Sequence, residues 1–202
     1  MNKIEWIKKQ KTVKEINENN NLLKKIFARN IHESALYFEY VVDRLFMALG
    51  NFKEIEYFMR LNEDFLPERV APGRKADCII SYDDFDLVVE ATLRPVSGSA
   101  DHFNHLESKS EKKQLGLNII PDITKTDNQL WNLYKVYCNN EQKLFMLCDT
   151  DFIFKLLKDQ ATAFLKFQEF LRESERIWRE EIDWRIIQKK IIKLVDRKNN
   201  IK

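Results

Sequence analysis

The sequence is short of the residues that mark several protein classes, since its 202 residues include only four Gly, four Pro and three Cys. So few glycines and prolines exclude collagen-like and Gly/Pro-rich disordered chains and favour long regular elements. The cysteines are odd in number and form no Cys-x-x-Cys pair, so they predict neither a disulfide framework nor a thiolate zinc site. We interpret Cys78, Cys138 and Cys148 as buried small hydrophobic residues.

Long apolar runs are also missing. No uninterrupted stretch approaches the ~20 residues that a membrane helix needs. The first ten residues, MNKIEWIKKQ, lack the apolar region of a secretory signal. We therefore expect a cytoplasmic protein that has no membrane partner.

The residues that are present supply a genuine core, because 44% are hydrophobic and fourteen are Phe. A chain of this length fits within one hydrophobic core. We expect a single domain, with a helical N-terminal extension over residues 1–30, a central core over 31–158 and C-terminal helices over 159–202.

The net charge of +2 conceals an uneven distribution. Residues 1–30 hold eight Lys/Arg against three Asp/Glu, and residues 185–202 hold seven against one. The residues between them are acidic, with nineteen Lys/Arg against twenty-eight Asp/Glu. Two interpretations of the basic flanks stay open: they follow a phosphate backbone, or they are solvated helix faces.

Helical periodicity dominates the first fifty residues. The first thirty carry apolar residues at helical spacing, and the Asn run at 19–21 predicts a break into two helices. Residues 34–49 place their apolar side chains on one stripe, and Gly50 follows where a left-handed C-cap belongs. These features predict an N-terminal helical extension followed by one well-defined helix.

The next hundred residues change period. Residues 76–82 and 85–93 are rich in β-branched and aromatic side chains, which predicts a hairpin. Residues 117–120 and 143–148 resemble buried strands, and 127–137 between them have helical spacing. Strand, helix and strand in this order predict a parallel crossover.

The C-terminal segment from residue 150 to about 198 has helical periodicity, with Thr150 and Ser174 as candidate N-caps. The whole sequence therefore predicts an α/β fold in which a mixed β-sheet is flanked by helices, with helical N- and C-terminal extensions.

Two acids face each other in the predicted hairpin. A turn at Asp83-Asp84 pairs Tyr82 with Phe85 and places Asp77 directly across from Glu90. The same register puts Ala76, Cys78, Ile80, Tyr82, Phe85, Leu87, Val89 and Ala91 on one face, which we expect to pack on the core.

Like charges at this spacing are destabilising, and a divalent cation between the oxygen ligands would compensate. Asp77 and Glu90 are therefore candidate ligands for Mg²⁺, with the cations of Arg74 and Lys75 beside them as candidate phosphate contacts. The alternative is that both acids are solvated at the wet ends of a hairpin. Glu90 follows the apolar run 87–89, where an unpaired ion is costly, and this favours the metal.

Glu39 is a third candidate. At 100° per residue it lies on the flank of the apolar stripe of helix 34–49, so its carboxylate should face the protein. The alternative, that Glu39 lies at the helix edge or pairs with Arg44, stays open.

Residues 71–93, APGRKADCIISYDDFDLVVEATL, resemble the catalytic core of PD-(D/E)XK nucleases and are most similar to the AlwI-like type IIS restriction and nicking endonucleases. The likeness extends more loosely over 31–158. It is carried by Pro72-Gly73, Asp77, Val88-Val89-Glu90-Ala91-Thr92, Ser97-Gly98 and Tyr37-Phe38-Glu39-Tyr40.

The resemblance implies a PD-(D/E)XK restriction-endonuclease-like fold in which Asp77 and Glu90 bind metal and Glu39 holds the metal or a metal-bound water. Thr92 stands where the wider superfamily has a Lys. Lys75 faces Thr92 in the predicted register and is a candidate substitute.

The resemblance also adds Ser97 and His105 to the candidate DNA contacts. His105 follows Asn104, where related enzymes have an Arg, so an ordinary polar helix residue is an equal alternative.

The resemblance implies a DNA endonuclease subunit that requires Mg²⁺, with Mn²⁺ as a substitute, and cleaves one strand of double-stranded DNA. The short chain resembles the small catalytic subunit of a heterodimeric type IIS enzyme, whose larger subunit reads the site. Two alternatives stay open: a catalytically silent DNA-binding or assembly subunit, and a self-sufficient homodimeric nuclease.

Overall fold

A five-stranded mixed sheet flanked by helices forms the fold, as the sequence predicted. The computed structural model describes residues 1–72, 75–93, 104–106, 112–125, 132, 136, 138, 144–177 and 184–199. The helices are α1 (Lys3–Lys9), α2 (Val13–Phe27), α3 (Ser34–Leu49), α4 (Thr150–Leu157), α5 (Gln160–Ile177) and α6 (Trp184–Asn199), with a 3-10 turn at Ile123–Lys125. The strands are β1 (Glu54–Tyr57), β2 (Arg60–Leu61), β3 (Pro67–Arg69), β4 (Cys78–Ser81), β5 (Phe85–Ala91), β6 (Lys113–Ile120) and β7 (Phe145–Asp149).

The sheet has the strand order β1-β4-β5-β6-β7, and β2 and β3 form a separate two-stranded ribbon. Strand β4 is antiparallel to β1 and to β5, whereas β5, β6 and β7 are parallel. The predicted hairpin register is confirmed, because Cys78 pairs with Val89 and Ser81 with Asp86. The parallel pairing of β6 and β7 is confirmed as well. The predicted helix at 127–137 lies outside the described residues except at 132 and 136, which are helical.

The centre of the sheet is buried on both faces. Cys78, Ile80 and Leu87, on the face predicted to meet the core, are 0% exposed. Val88 lies on the opposite face and is also 0% exposed. Parallel sheets are normally covered on both sides, so the hairpin is more deeply enclosed than its alternating pattern alone indicates.

The N-terminal residues form two helices, but the break predicted at the Asn run is wrong. It lies at residues 10–12, and residues 19–21 are inside α2. Thr12 caps α2, since its hydroxyl accepts a hydrogen bond from the Glu15 N–H (3.3 Å). Asn19 is completely buried, so tertiary packing overrides the weak helix preference of asparagine.

Helix α3 has the bounds that the sequence predicted and is the most buried helix of the first half. Gly50 follows it with φ 68° and ψ −157°. Its positive φ favours glycine, but its ψ differs from that of the left-handed C-cap that the sequence predicted. Helix α3 packs against α1, α2, α4, α5, β3 and β5, and so it connects the N-terminal helices to the sheet.

The C-terminal segment is helical as predicted, but both predicted caps are wrong. Asp149 caps α4, because its carboxylate accepts a hydrogen bond from the Phe152 N–H (2.7 Å), and Thr150 is the first helical residue. Ser174 lies inside α5 and is 0% exposed. It follows Phe170 and Leu171 on the buried face of that helix, where a small side chain fits. In the described part of the chain, no helix is long and apolar enough to cross a membrane.

A buried ion pair joins α2 to α3. The Arg44 guanidinium contacts Glu15, and its Nε donates a hydrogen bond to Gln10 (2.6 Å). Lys9 also lies 2.8 Å from the Glu15 carboxylate. Burial opposes ionisation of Glu15, but the hydrogen bond from Lys9 and the charge of Arg44 together lower its pKa. The two helices are therefore held together by a charged network and not only by apolar packing.

Arg44→Met is expected to lower the free energy of unfolding by about 3 kcal/mol at pH 7, because it leaves buried polar partners unsatisfied. Urea unfolding would measure this loss, and Lys14→Met, which breaks an exposed pair with Glu18, is the control with little effect. The pKa of Glu15 is lowered in the folded state from its ordinary value of 4.5. The ion pair therefore stabilises the protein fully above about pH 4.5, and this stabilisation is lost as the pH falls through the folded-state pKa. A deficit that stays unchanged in acid would contradict an ionic origin.

Candidate active site

A cleft opens where the start of β4, the end of β5 and the first turns of α3 meet. Its volume is about 480 Å³. The lining residues are Ser34, Ala35, Glu39, Asp77, Glu90, Ala91, Thr92 and Leu93. Four predicted site residues, Glu39, Asp77, Glu90 and Thr92, are therefore brought together although up to 53 positions of sequence separate them.

Backbone amides orient two of the three carboxylates. Asp77 Oδ2 accepts a hydrogen bond from the Ala91 N–H (2.6 Å), and Glu39 Oε2 accepts one from the Ala71 N–H (3.3 Å). The hairpin register continues past the end of β4, because the Asp77 N–H donates to the Val89 carbonyl (3.1 Å). Asp77 therefore lies opposite Glu90, as the sequence predicted.

Burial and like charge dominate the electrostatics of the cleft. Burial and the charges of Glu39 and Glu90 raise the pKa of Asp77 well above its ordinary value. Burial, together with the charge of Glu90, raises the pKa of Glu39 to about 7, although the Ala71 hydrogen bond opposes this shift. Burial also raises the pKa of Glu90, although His105 lowers it. The cleft therefore holds three desolvated acids that repel one another.

His105 lies against Glu90. Its Nδ1 contacts Glu90 Oε1, and both side chains are largely shielded from solvent, at 16% and 5% exposure. The sequence analysis left two alternatives for His105, a phosphate contact or an ordinary helix residue. The contact supports a third role, in which the imidazole orients the Glu90 carboxylate.

The remaining candidates differ in where they lie relative to the acids. Thr92 lines the cleft, and its N–H donates to the Ile119 carbonyl (2.9 Å). The Lys75 ammonium lies 4.6 Å from the centre of the Phe58 ring. Arg74 and Ser97 lie outside the described residues, so their roles stay predictions.

Arg44 does not pair with Glu39. Its guanidinium is engaged by Glu15 and Gln10 on the side of α3 that faces α2. Glu39, in contrast, is held by a backbone amide in the cleft. The alternative in which Glu39 is merely the ion-pair partner of Arg44 is therefore wrong.

Sequence reasoning missed two buried polar residues beside the acids. Asp43 lies one helical turn beyond Glu39, is 1% exposed and interacts with the Cys78 thiol. Asn118 of β6 is the register partner of Glu90 and is 0% exposed. The sequence carries a signal for Asn118, which is a lone polar residue inside the apolar run 115–120, whereas Asp43 stands beside Arg44 and is marked only by its place on the helix after Glu39.

The chemistry of the donors fits a hard divalent cation. Three carboxylates supply oxygen ligands of the type that Mg²⁺ prefers, and a cation between them would relieve their mutual repulsion. Within the described ranges, no group of three or more His, Cys, Asp or Glu side chains is already arranged around one point as a metal site. Binding would therefore require the side chains to adjust.

Comparison with known proteins identifies a family and a similar fold. The sequence model of a family described as AlwI restriction endonuclease matches residues 1–115, which is more than half of the chain. Among solved structures, the small subunit of the heterodimeric restriction endonuclease R.BspD6I is similar with a TM-score of 0.64. The sequence identity is 17%, and the match covers 89% of this chain and 98% of that chain. No curated protein matches the chain.

Neutralising Asp77 is expected to stabilise the fold. Asp77→Asn removes one of three repelling charges, while the side-chain oxygen can still accept the Ala91 N–H. We expect the free energy of unfolding in excess chelator to rise by about 1 kcal/mol, measured by urea unfolding. Asp84→Asn, in the exposed turn of the same hairpin, is the matched control with no change. A less stable Asp77→Asn protein would show that the acids are not in repulsive contact.

Proposed function

The chain belongs to the AlwI restriction endonuclease family, and on that premise we propose that it is a Mg²⁺-dependent DNA endonuclease subunit that hydrolyses one phosphodiester bond in one strand of a duplex. The observation that carries this proposal is the cleft in which Glu39, Asp77 and Glu90 meet. The described residues of this site all fall within 31–158, which we propose as the catalytic core.

We propose that Glu39, Asp77 and Glu90 hold Mg²⁺, for which Mn²⁺ can substitute. When bound, such an ion stabilises negative charge on the phosphate and lowers the pKa of its water. The amides of Ala71 and Ala91 keep two of the carboxylates turned into the cleft before any substrate arrives. His105 does the same for Glu90, so each carboxylate has a neighbour that holds it at the cleft, and only side-chain adjustment would be needed to bring the three around one ion.

Thr92 takes the position at which the wider superfamily carries a Lys. Its hydroxyl can donate and accept a hydrogen bond but supplies no positive charge. In this proposal Thr92 orients the attacking water and leaves charge stabilisation to the metal. Arg74, Lys75 and Ser97 are retained as proposed phosphate contacts on the segments that enter β4 and leave β5.

We further propose that the chain works with a larger subunit that reads the DNA sequence, as in a type IIS enzyme. The similar structure, which this chain matches over 98% of its length, is the small subunit of a heterodimeric restriction endonuclease. Delegating recognition to a partner agrees with the modest net charge of +2, because sequence-specific binding usually relies on many phosphate contacts.

Cleavage is expected to require Mg²⁺ or Mn²⁺ together with both hairpin acids. Asp77→Ala and Glu90→Ala should each abolish cutting by the assembled enzyme while circular dichroism shows an intact fold. Asp84→Ala, from the exposed turn between the same strands, is the matched control and should cut normally. Ca²⁺ should support DNA binding without hydrolysis. Full activity in excess chelator would refute the metal-dependent site.

Glu39→Gln extends the same assay to the third acid. Loss of a ligand to the metal or its water should lower the cleavage rate by about 10²-fold or more, while DNA binding by the assembled enzyme persists. Glu56→Gln, an exposed acid on β1, should leave the rate unchanged. Near wild-type cleavage by Glu39→Gln across a Mg²⁺ titration would remove Glu39 from the site and leave the two hairpin acids.

The isolated chain is expected to cleave weakly and without sequence preference. Adding the larger subunit should confer one defined site and double-strand cutting, as gel analysis of end-labelled duplexes would show. With Asp77→Ala in this subunit, the assembly should nick one particular strand and spare the other. The subunit proposal is wrong if the chain alone cuts both strands at a unique site.

A further inference from the structure

We propose that Lys24, Lys25 and Arg29, here called the basic rim, bind backbone phosphates of the DNA that enters the cleft. Lys24 and Lys25 lie in the last turn of α2, and Arg29 follows the C-cap residue Ala28. This inference rests on the proposed function, because it identifies where the substrate duplex is held next to the acids.

The basic rim lies at the end of α2 that is nearest to the cleft. The ring of Phe27, the last residue of α2, is 6.3 Å from that of Phe38, which precedes Glu39 in α3. The connecting residues 28–33 lead directly into Ser34 and Ala35, which line the cleft. A duplex positioned over the acids therefore passes close to this end of the helix.

The side chains of the basic rim are accessible to an anionic ligand. All three side chains are exposed, and within the described residues none of them forms an ion pair. By contrast, other exposed lysines such as Lys14 and Lys53 are paired with acids. A cation without a carboxylate partner can bind a phosphate without first breaking a bridge. The acids in the cleft repel the phosphates of DNA, and positive charge on the basic rim would offset that repulsion.

Arg29 occupies a backbone position that favours glycine. Its φ is 58°, its N–H donates to the Ile26 carbonyl (3.0 Å), and the Asn30 N–H donates to the Lys25 carbonyl (3.0 Å). This is the Schellman pattern, in which glycine usually takes the left-handed position. An arginine there is less stable than glycine would be, so the choice of residue is not explained by the backbone alone.

A structural role accounts for only part of this arrangement. Lysines in the last turn of a helix interact favourably with its dipole, which would explain Lys24 and Lys25 without DNA. It does not explain Arg29, which lies beyond the helix in a strained conformation. Glu33 is the one acid among residues 24–33, and it reduces the local charge from three to two. The dipole role predicts a change in stability, whereas the proposed role predicts a change in DNA binding.

The test is the salt dependence of binding between the full-length chain and a fluorescent duplex of random sequence, in chelator so that no cleavage occurs. Lys24→Gln/Lys25→Gln should lower the slope of log K against log salt by about 1 to 2, since each lost phosphate contact removes about 0.9. Lys8→Gln/Lys158→Gln removes the same charge at the opposite end of α2 and should leave the slope unchanged. Lys158 lies there with Val13 and Ile16.

Arg29→Gly separates binding from folding. Glycine suits the left-handed position, so its melting temperature should equal or exceed that of the wild type, while duplex affinity falls about threefold or more at low salt. A variant with wild-type affinity would contradict the proposal, as would a lower melting temperature with unchanged binding.

Three further results would overturn the inference. They are an absence of salt-dependent binding by the wild-type chain, a wild-type slope in the Lys24→Gln/Lys25→Gln protein, and loss of the larger subunit from that protein with DNA binding unchanged. The last result would assign the surface to a protein partner. Because the assay needs no cleavage, its outcome is independent of the Asp77→Ala and chelator experiments that test the proposed function.

Discussion

Repulsion among buried carboxylates is the constraint on which the candidate site depends. Glu39, Asp77 and Glu90 come from a helix, the start of one strand and the end of another, so only the completed fold brings them together. Burial raises the pKa of each acid, and like charge adds to the shift for Glu39 and Asp77. The hydrogen bonds from the Ala71 and Ala91 amides oppose the shift for these two. The apolar core on both faces of the sheet must offset this unfavourable electrostatic energy.

Helix α3 carries the acid of the cleft and the arginine of the buried ion pair on different sides. Arg44 follows Glu39 by five residues, which places the two side chains about 140° apart around the helix axis. Glu39 faces the cleft, while Arg44 faces α2 and pairs with Glu15. The ion pair therefore fixes α2 against one side of α3, while no cation among the described residues pairs with the acid on the other side. A rigid frame around such an acid is what a metal site requires.

The sequence predicted those features that local pattern and geometry determine. The register of the hairpin follows from its turn and its alternating side chains, and the bounds of α3 follow from one apolar stripe ended by Gly50. Features that depend on distant contacts were missed. The contact between His105 and Glu90 joins residues fifteen apart across a segment that had no strong pattern. The break between the first two helices was predicted at 19–21 but lies at 10–12. Asn19 is buried inside α2, and burial is a property of the folded chain that local pattern does not show.

The family match and the structural match cover different parts of the chain. The family match ends at residue 115, inside β6, so it includes the acids but not Asn118, the partner of Glu90 on β6. The hairpin presents the acids, whereas β6 and β7 contribute mostly apolar side chains that pack, with Asn118 and Asp149 as buried polar exceptions. Gly116 illustrates that packing, because a Cβ there would lie 2.3 Å from the Phe145 ring. Many sequences satisfy such a requirement, which explains why the fold extends over 89% of the chain at 17% identity.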